Sequence, residues 1–373
     1  MIQRKIVQHI ENDFGKGKII VMIGARQVGK TTLFNELTSH TDNLLLLNCD
    51  NYDDRLDLEN KTSTELKQLI GNHKVVMIDE AQRVKNIGLT LKMMADLHTQ
   101  AQILVTGSSS LDLADAISEA ATGRCFEYRL FPFSTAEMIH NTSDREEKRL
   151  LQQRMIYGSY PDVVTHPDDA RRILNNLVNN YLYRDLLEYK GIKKPDLLQR
   201  LVRALALQVG SEVSYNELSK TLGVDKETVA NYIDLLEKCF VVFRLPSYSR
   251  NLRSEIKKGK KIYFYDNGIR NALISNFASL ELRSDVGALW ENFIISERLK
   301  QNAYNQRDAQ LYFWRTAEQQ EVDFIEIYDG QMTAFEMKWR KNKAQLPSAF
   351  SQNYPEAQFQ IVNQDNYIQW LNQ

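Results

Sequence analysis

Short apolar runs alternate with helix-like segments over the first 135 residues of the chain. The strand-like runs are Lys18–Ile23, Leu44–Leu47, Val75–Ile78, Ile103–Val105 and Phe126–Leu130. Nearly continuous apolar strands that alternate with helices are typical of a parallel sheet covered on both faces. The pattern therefore predicts an α/β domain over residues 1–135.

Three further segments follow, each with a different pattern. Residues 136–195 are helical, with a break at Gly158–Pro161, and predict a small helical lid. Residues 196–260 contain helices at Leu197–Val209, Tyr215–Leu222 and Lys226–Cys239 and a strand at Phe240–Leu245, which is the order of a winged helix-turn-helix. Residues 261–373 mix helices with strands and predict an α/β domain; the strands are Ile262–Tyr265, Gln310–Trp314, Val322–Tyr328 and Thr333–Trp339.

Composition excludes several classes of protein. The formal net charge of -1 over 373 residues excludes a uniformly basic binder, so any contact with nucleic acid must come from local patches. The three cysteines, Cys49, Cys125 and Cys239, are widely spaced and form no disulfide framework, which indicates a reducing compartment. No apolar run approaches the ~20 residues that span a bilayer. We therefore expect a soluble, cytoplasmic protein with no membrane partner.

The segment Gly24–Thr31 has the spacing of a phosphate-binding loop between a strand and a helix. Gly24, Gly29 and the backbone up to Thr32 would cradle phosphate, Lys30 would reach the β and γ oxygens, and Thr31 would ligate Mg²⁺. About fifty residues later, the strand-like run Val75–Ile78 is followed by Asp79, a second metal ligand, and by Glu80, which can polarise water. The two motifs predict ATP hydrolysis.

The chain resembles bacterial and archaeal AAA-type ATPases with a C-terminal restriction-endonuclease-like domain. The residues that carry the resemblance are Gly24–Thr32, Asp79–Gln82, Thr106–Ser110, Gly123–Arg124, Leu130–Ser134 and Gly287–Phe293. The resemblance implies that Ser108 is a sensor of the γ-phosphate, with Thr106 as the alternative. It also implies that Arg124 is a finger acting on a neighbouring subunit, hence a homo-oligomer such as a ring; the alternative for Arg124 is a surface salt bridge.

A basic stretch follows the predicted helix-turn-helix and suits contact with a phosphate backbone. Its candidate DNA-binding residues are Arg250, Arg253, Lys257, Lys258, Lys260 and Lys261. The alternative is a solvated charged loop. The helix Lys226–Cys239 is either a recognition helix or a packing element, because its cations are interspersed with acids.

Asp329–Gly330 predicts a type I′ hairpin turn that pairs Tyr328 with Gln331. Counting back along the two strands places Asp323 opposite Glu336. Carboxylates that face each other among apolar neighbours repel unless a divalent ion lies between them, so the register predicts a metal site. Lys338 lies on the same face as Glu336 and can stabilise a hydroxide nucleophile or a pentavalent phosphate.

This arrangement resembles the PD-(D/E)xK nucleases, although Val322 stands where the proline of that motif is expected. The resemblance implies that Glu291 is an additional metal ligand. The alternative is an exposed charged hairpin. The sequence as a whole predicts an ATPase that binds DNA and cleaves it with Mg²⁺ or Mn²⁺. Two alternatives remain: a nucleotide-driven switch whose last domain only grips DNA or a protein, and a remodeller of RNA or protein.

Overall fold

The computed structural model describes residues 2–108, 123–182, 195–249, 259–340 and 343–373. The chain forms two compact units. The first comprises Arg4–Phe131 with Lys238–Phe240, and the second comprises Met1–Gln3, Pro132–Glu237 and Val241–Gln373. Among the described residues, none of the helices combines the length and the apolar character that crossing a bilayer requires.

The first unit is built on a five-stranded parallel sheet of order β2-β3-β4-β1-β5. The strands are β1 (Ile19–Ile23), β2 (Leu44–Asn48), β3 (Val75–Asp79), β4 (Gln102–Gly107) and β5 (Cys125–Arg129). The helices are α1 (Val7–Asp13), α2 (Lys30–Thr38), α3 (Tyr52–Leu56), α4 (Ser63–Ile70) and α5 (Ile87–Asp96). This is the parallel sheet that the alternating pattern predicted.

Burial follows the position of each strand in this sheet. Every residue of the three inner strands is buried, whereas the two edge strands are partly exposed. Strands covered on both faces require apolar residues throughout, which is why the inner strands are visible in the sequence as continuous apolar runs. The two motifs that were predicted to bind nucleotide follow the carboxyl ends of β1 and β3.

The second unit begins with helices. They are α6 (Thr135–Asn141), α7 (Asp144–Tyr157), α8 (Pro161–Thr165), α9 (Ala170–Asn176), α10 (Pro195–Leu207), α11 (Tyr215–Leu222) and α12 (Lys226–Lys238), with a π-helical segment at Leu177–Leu182. Ser134 and Glu137 form a reciprocal capping box at the start of α6. Further along the chain lie α13 (Asn267–Leu273), α14 (Val286–Tyr304), α15 (Ser348–Asn353) and α16 (Tyr367–Leu371).

The break between α7 and α8 is fixed by a buried carboxylate. Gly158 has a φ of 71°, and a Cβ at this position would lie 2.0 Å from Oδ1 of Asp266, so only glycine fits. The backbone N–H of Ser159 donates to Asp266 Oδ2 at 2.7 Å, while the N–H of Gly268 donates to Oδ1 at 2.8 Å. Asp266 therefore caps α13 and holds the loop at the same time.

A small antiparallel sheet of order β6-β8-β7 accompanies helices α10 to α12. Its strands are β6 (Glu212–Val213), β7 (Val242–Pro246) and β8 (Lys260–Phe264). The helices and β7 lie where the sequence predicted them, and β6 was not predicted. The strand predicted at Ile262–Tyr265 was assigned to the C-terminal domain, but β8 pairs with β6 and β7 instead of the C-terminal strands.

The C-terminal sheet has the order β12-β11-β10-β9. Its strands are β9 (Gln310–Arg315), β10 (Glu321–Tyr328), β11 (Gln331–Met337) and β12 (Gln358–Val362), and only the β11–β12 pair is parallel. Tyr328 pairs with Gln331, and both residues of the turn, Asp329 and Gly330, have positive φ. The predicted type I′ turn and strand register are confirmed.

A buried ion pair fixes α14 against this sheet. Arg298 donates two hydrogen bonds of 2.7 Å to the carboxylate of Glu326 on β10. Asn302 adds a third bond to the same carboxylate at 3.1 Å. Both charged side chains are almost fully buried, and bidentate pairing satisfies their polar atoms. The preceding turns of α14 therefore hold Glu291 at a defined position near β10.

Candidate functional site

The predicted phosphate loop is a compact turn between β1 and α2. A Cβ on Gly24 would lie 2.1 Å from the carbonyl oxygen of Leu130, and Gly29 has a φ of 95°, so both positions require glycine. The buried ammonium of Lys30 donates to the carbonyl oxygens of Gly24 and Ala25, both at 2.9 Å. The loop thus holds a cation against its own backbone, beside the N-terminus of α2, where anions bind favourably.

Oxygen ligands for a divalent ion meet at the ends of α2 and β3. The hydroxyl of Thr31 donates to Asp79 Oδ2 at 2.9 Å, and the hydroxyl of Thr106 donates to the other carboxylate oxygen. A hydroxyl and a carboxylate in contact, next to a phosphate loop, form the donor set that Mg²⁺ takes in nucleotide sites. Thr32, one residue further along α2, is exposed.

Glu80 follows the metal-binding aspartate in a left-handed conformation, with a φ of 53°. Its carboxylate accepts a hydrogen bond of 2.6 Å from the side-chain amide of Gln82, which also donates to the Ser108 hydroxyl at 2.8 Å. Gln82 therefore links the predicted water-polarising residue to a predicted sensor. Thr106, the alternative sensor, contacts Asp79 instead, so the two candidates occupy different positions in the site.

Arg124 pairs within its own chain. Its Nε lies 2.6 Å from Asp96 Oδ1, at the end of α5, and both side chains are partly exposed. This is the salt bridge that was the alternative to an arginine finger. Exposed pairs of this kind contribute little to stability, so a neighbouring phosphate would compete readily for the guanidinium.

The structure describes only the last two of the predicted DNA-binding residues of the basic stretch. Arg250, Arg253, Lys257 and Lys258 lie outside the described residues. Lys260 is half-buried at the start of β8. Lys261 is 2% exposed, with its Nζ 2.9 Å from Glu291 and 2.5 Å from Glu321. The prediction that Lys261 contacts DNA from the surface is wrong, because Lys261 is buried and paired with acids on α14 and β10.

The predicted nuclease residues converge at the end of the C-terminal hairpin. The Nζ of Lys338 lies 2.5 Å from Glu336 Oε1 and 3.9 Å from Asp323 Oδ2. Asp323 also accepts the backbone N–H of Met337 at 2.9 Å. The opposed carboxylates and the lysine thus share one face, as the register predicted.

The rest of the cluster comes from α14, β8 and the first residue of β10. Glu291 on α14 accepts hydrogen bonds from Lys261 at 2.9 Å and from the hydroxyl of Tyr263 at 2.5 Å, both on β8. Glu321 on β10 pairs with Lys261 and, at 3.6 Å, with Arg315. Tyr263 and Glu321 were not among the site residues predicted from the sequence. The available signal was the register, which places Glu321 two residues from Asp323 and so on the same face.

The electrostatics of the cluster disfavour negative charge. Burial raises the pKa of Asp323, and burial together with the charge of Asp323 raises the pKa of Glu336. Burial, reinforced by Asp323, raises the pKa of Glu291 to about 7 despite the opposing ammonium of Lys261. A cluster in which several carboxyl groups resist ionisation gains free energy when a cation binds.

Lysines pair with the predicted metal ligands of this cluster. Within the described ranges, no three side chains of the His, Cys, Asp and Glu types converge as a ready ligand set for a metal ion. Lys338 and Lys261 each contact carboxylates that were predicted as metal ligands. Because the acids hold ammonium groups at ion-pair distance, the donor set suits a cation, and a metal ion would have to compete with these contacts.

We expect Glu291 to make stability depend on pH. Its pKa is raised from 4.5 to about 7 in the folded protein, so the folded state holds this proton while the unfolded state has lost it. The free energy of unfolding of the wild type, relative to Glu291→Gln, should therefore fall as the pH rises from about 4.5 to about 7, and then level off. Urea denaturation of both proteins across this range measures the difference, and a rise instead of a fall would contradict the assignment.

Three protein families match successive parts of the chain. Residues 16–139 match the AAA domain. Residues 148–280 match a domain of unknown function, DUF8612, and residues 286–372 match another, DUF4143. The described site of Lys30, Thr31, Asp79 and Glu80 lies within the first match.

The chain also aligns with uncharacterized proteins of other organisms. The chain is 27% identical over 342 residues to an uncharacterized protein of Mycobacterium tuberculosis, covering 90% of this chain and 74% of that protein. It is 25% identical over 317 residues to an uncharacterized protein of Methanocaldococcus jannaschii, covering 73% of this chain and 65% of that protein.

A solved structure shows the same fold. The Walker-type ATPase of Pyrococcus abyssi matches with a TM-score of 0.52 and 14% identity, covering 74% of this chain and 96% of that protein. An AAA-type fold implies that nucleotide is bound, usually with Mg²⁺. The parallel sheet, the glycine-bounded loop and the match over residues 16–139 agree, and these residues form an ATPase domain of the AAA type.

Proposed function

We propose that this ATPase binds DNA and cleaves it with a metal-dependent C-terminal domain of the restriction-endonuclease-like type. The observation that carries the proposal is the convergence of Asp323, Glu336 and Lys338 at the end of one hairpin. Two facing carboxylates can hold a divalent ion, and a lysine on the same face can stabilise the charge that develops on the phosphate. ATP and Mg²⁺ would serve the first unit, and Mg²⁺ or Mn²⁺ the second.

Each group has a distinct chemical task in this proposal. Asp323 and Glu336 supply carboxylate oxygens for a divalent ion, which, when bound, would polarise the phosphate and lower the pKa of a water. Lys338 would stabilise the nucleophile or the charge of the pentavalent phosphate. Glu291 is the proposed additional ligand, which requires it to leave its contact with Lys261.

The remaining elements support contact with DNA. In chain order α10, β6, α11, α12, β7 and β8 have the arrangement of a winged helix-turn-helix, which we propose as a DNA-binding domain that extends past residue 260 to the end of β8 at Phe264. We further propose a helical lid at 136–195, a nuclease-like domain that follows β8, over residues 265–373, and a cytoplasmic homo-oligomer, with a ring as one arrangement. In that oligomer Arg124 would exchange Asp96 for a nucleotide on the neighbouring subunit.

The test is cleavage of a panel of single-stranded, duplex, flap and junction DNAs with and without Mg²⁺, Mn²⁺ and ATP. We expect metal-dependent cleavage that falls by at least about a hundredfold in Asp323→Ala and Lys338→Ala, because a ligand and a charge-stabilising group are removed. ATP hydrolysis should be unchanged in both variants, since their side chains lie in the other unit.

The matched control is Glu356→Ala, which removes an exposed acid from the C-terminal part of the chain. This variant should cleave like the wild type. If the wild type cuts none of the DNAs with any metal, the nuclease proposal is overturned.

A second candidate function is a nucleotide-driven switch whose C-terminal domain grips DNA or a protein without cutting. The observation that favours it is the occupation of the carboxylate cluster by Lys261 and Lys338. Under this alternative, the wild type binds no divalent ion at the hairpin by isothermal titration calorimetry, and DNA is retained intact when it binds.

A further inference from the structure

A polar cleft of about 600 Å³ opens in the second unit beside the carboxylate cluster. It lies where β6 and the start of α11 meet the first residue of β8 and the loop between β9 and β10. The side chains that matter are Lys226, Lys260, Arg315, Glu212, Asn216 and Gln319, all of which line it. Three of these are cations and one is an acid.

The cations differ in how far they are neutralised. Arg315 lies 3.8 Å from Glu212 and 3.6 Å from Glu321, so its charge is shared by two carboxylates. Lys226 and Lys260, in contrast, form no ion pair with any acid in the described part of the chain, and Lys226 is exposed. Among the described residues, the cleft therefore contains two lysines that no carboxylate pairs with, which favours an anionic ligand.

The cleft is connected to the carboxylate cluster through shared residues. Glu321 receives Arg315 from the cleft side and Lys261, at 2.5 Å, from the interior. Lys260 and Lys261 are consecutive on β8, so one strand contributes to both features. Asp323 is two residues from Glu321 on the same strand, so the cleft and the carboxylate cluster are neighbouring features of the second unit.

We propose that this cleft binds the phosphodiester backbone of the DNA strand that the carboxylate cluster cleaves; the inference rests on the proposed nuclease function. Lys226 and Lys260 contact successive phosphates. Arg315 holds the strand at the entrance to the cluster, since a planar guanidinium binds phosphate through two parallel hydrogen bonds. Asn216 and Gln319 add neutral hydrogen bonds, so binding is independent of base sequence.

The test is DNA binding by the full-length double variant Lys226→Ala/Lys260→Ala, measured by fluorescence anisotropy with a labelled tailed duplex over a range of salt concentrations. Removing one phosphate-binding lysine should reduce the slope of log affinity against log salt by about one. We expect the double variant to lower the slope by about two and to weaken binding of unrelated sequences equally. The concentration of DNA that half-saturates cleavage should rise while the maximal rate changes little, because the cluster is intact.

The matched control is Lys220→Ala, which removes an exposed lysine from α11 that does not line the cleft. If wild-type protein binds and cuts DNA but the double variant behaves like this control, the cleft inference is overturned and the proposed function stands. If the wild type binds DNA tightly without cutting and the double variant lowers the salt slope by about two, the cleft is supported as a DNA-binding site and the nuclease activity fails. If the wild type does not bind DNA, both are overturned, and an acidic protein segment becomes the ligand to test.

Discussion

Replacing Lys30 with alanine should abolish ATP hydrolysis, with a loss of at least about a hundredfold in turnover, because a charge that stabilises the transferring phosphoryl group is removed. Its ammonium lies within the loop, 2.9 Å from each of two carbonyl oxygens, which a bound phosphate would displace. Removing it leaves the loop without its cation, so nucleotide affinity should fall as well. Phosphate release and binding of a fluorescent ATP analogue measure the two effects.

Glu80→Gln should separate the loss of ATP hydrolysis from the loss of nucleotide binding. The variant keeps the size of the side chain but cannot polarise water, so hydrolysis should be lost while nucleotide remains bound. Gln82 donates to Glu80 at 2.6 Å and can turn its amide to meet the new side chain, so the local structure should persist. The control is Lys67→Ala, an exposed lysine on α4, which should hydrolyse ATP like the wild type. Normal turnover in both Lys30→Ala and Glu80→Gln would refute the site.

Lys261→Met should destabilise the second unit by about 3–5 kcal/mol at a pH of about 8, because it leaves buried carboxylates without a partner. Lys261 contacts Glu291 at 2.9 Å and Glu321 at 2.5 Å and is 2% exposed. All 4 tryptophans of the chain lie between residues 290 and 370, so tryptophan fluorescence during urea denaturation reports on this unit. The midpoint should shift to lower urea without a change in slope.

A second substitution tests whether charge or shape is responsible. Glu291→Gln in the Lys261→Met background removes one unpaired charge, so the double variant should recover part of the lost free energy. The matched control is Lys260→Met, which changes the neighbouring, half-buried lysine and should cost little. If the two lysine variants are equally stable, Lys261 is not an essential partner of the cluster.

The sequence by itself determined the features that depend on neighbours along the chain. Gly24 to Thr31 form a phosphate loop because the glycine positions and the flanking strand and helix are local properties. The apolar runs predicted the strands of the parallel sheet, since inner strands must be apolar on both faces. The Asp329–Gly330 turn and the two-residue period of strands were sufficient to predict the register that pairs Phe324 with Phe335, next to Asp323 and Glu336.

Only the tertiary structure decided which partner each charged side chain takes. In the sequence Lys261 belongs to a run of cations typical of a surface, yet acids 30 and 60 residues further along the chain bury it. Arg124 and Asp96 are likewise separated by 28 residues, and Gln82 meets Ser108 across 26. Local sequence preferences do not predict such contacts. The energy of an ion pair or hydrogen bond depends on burial and distance, and both are set only when distant segments pack together.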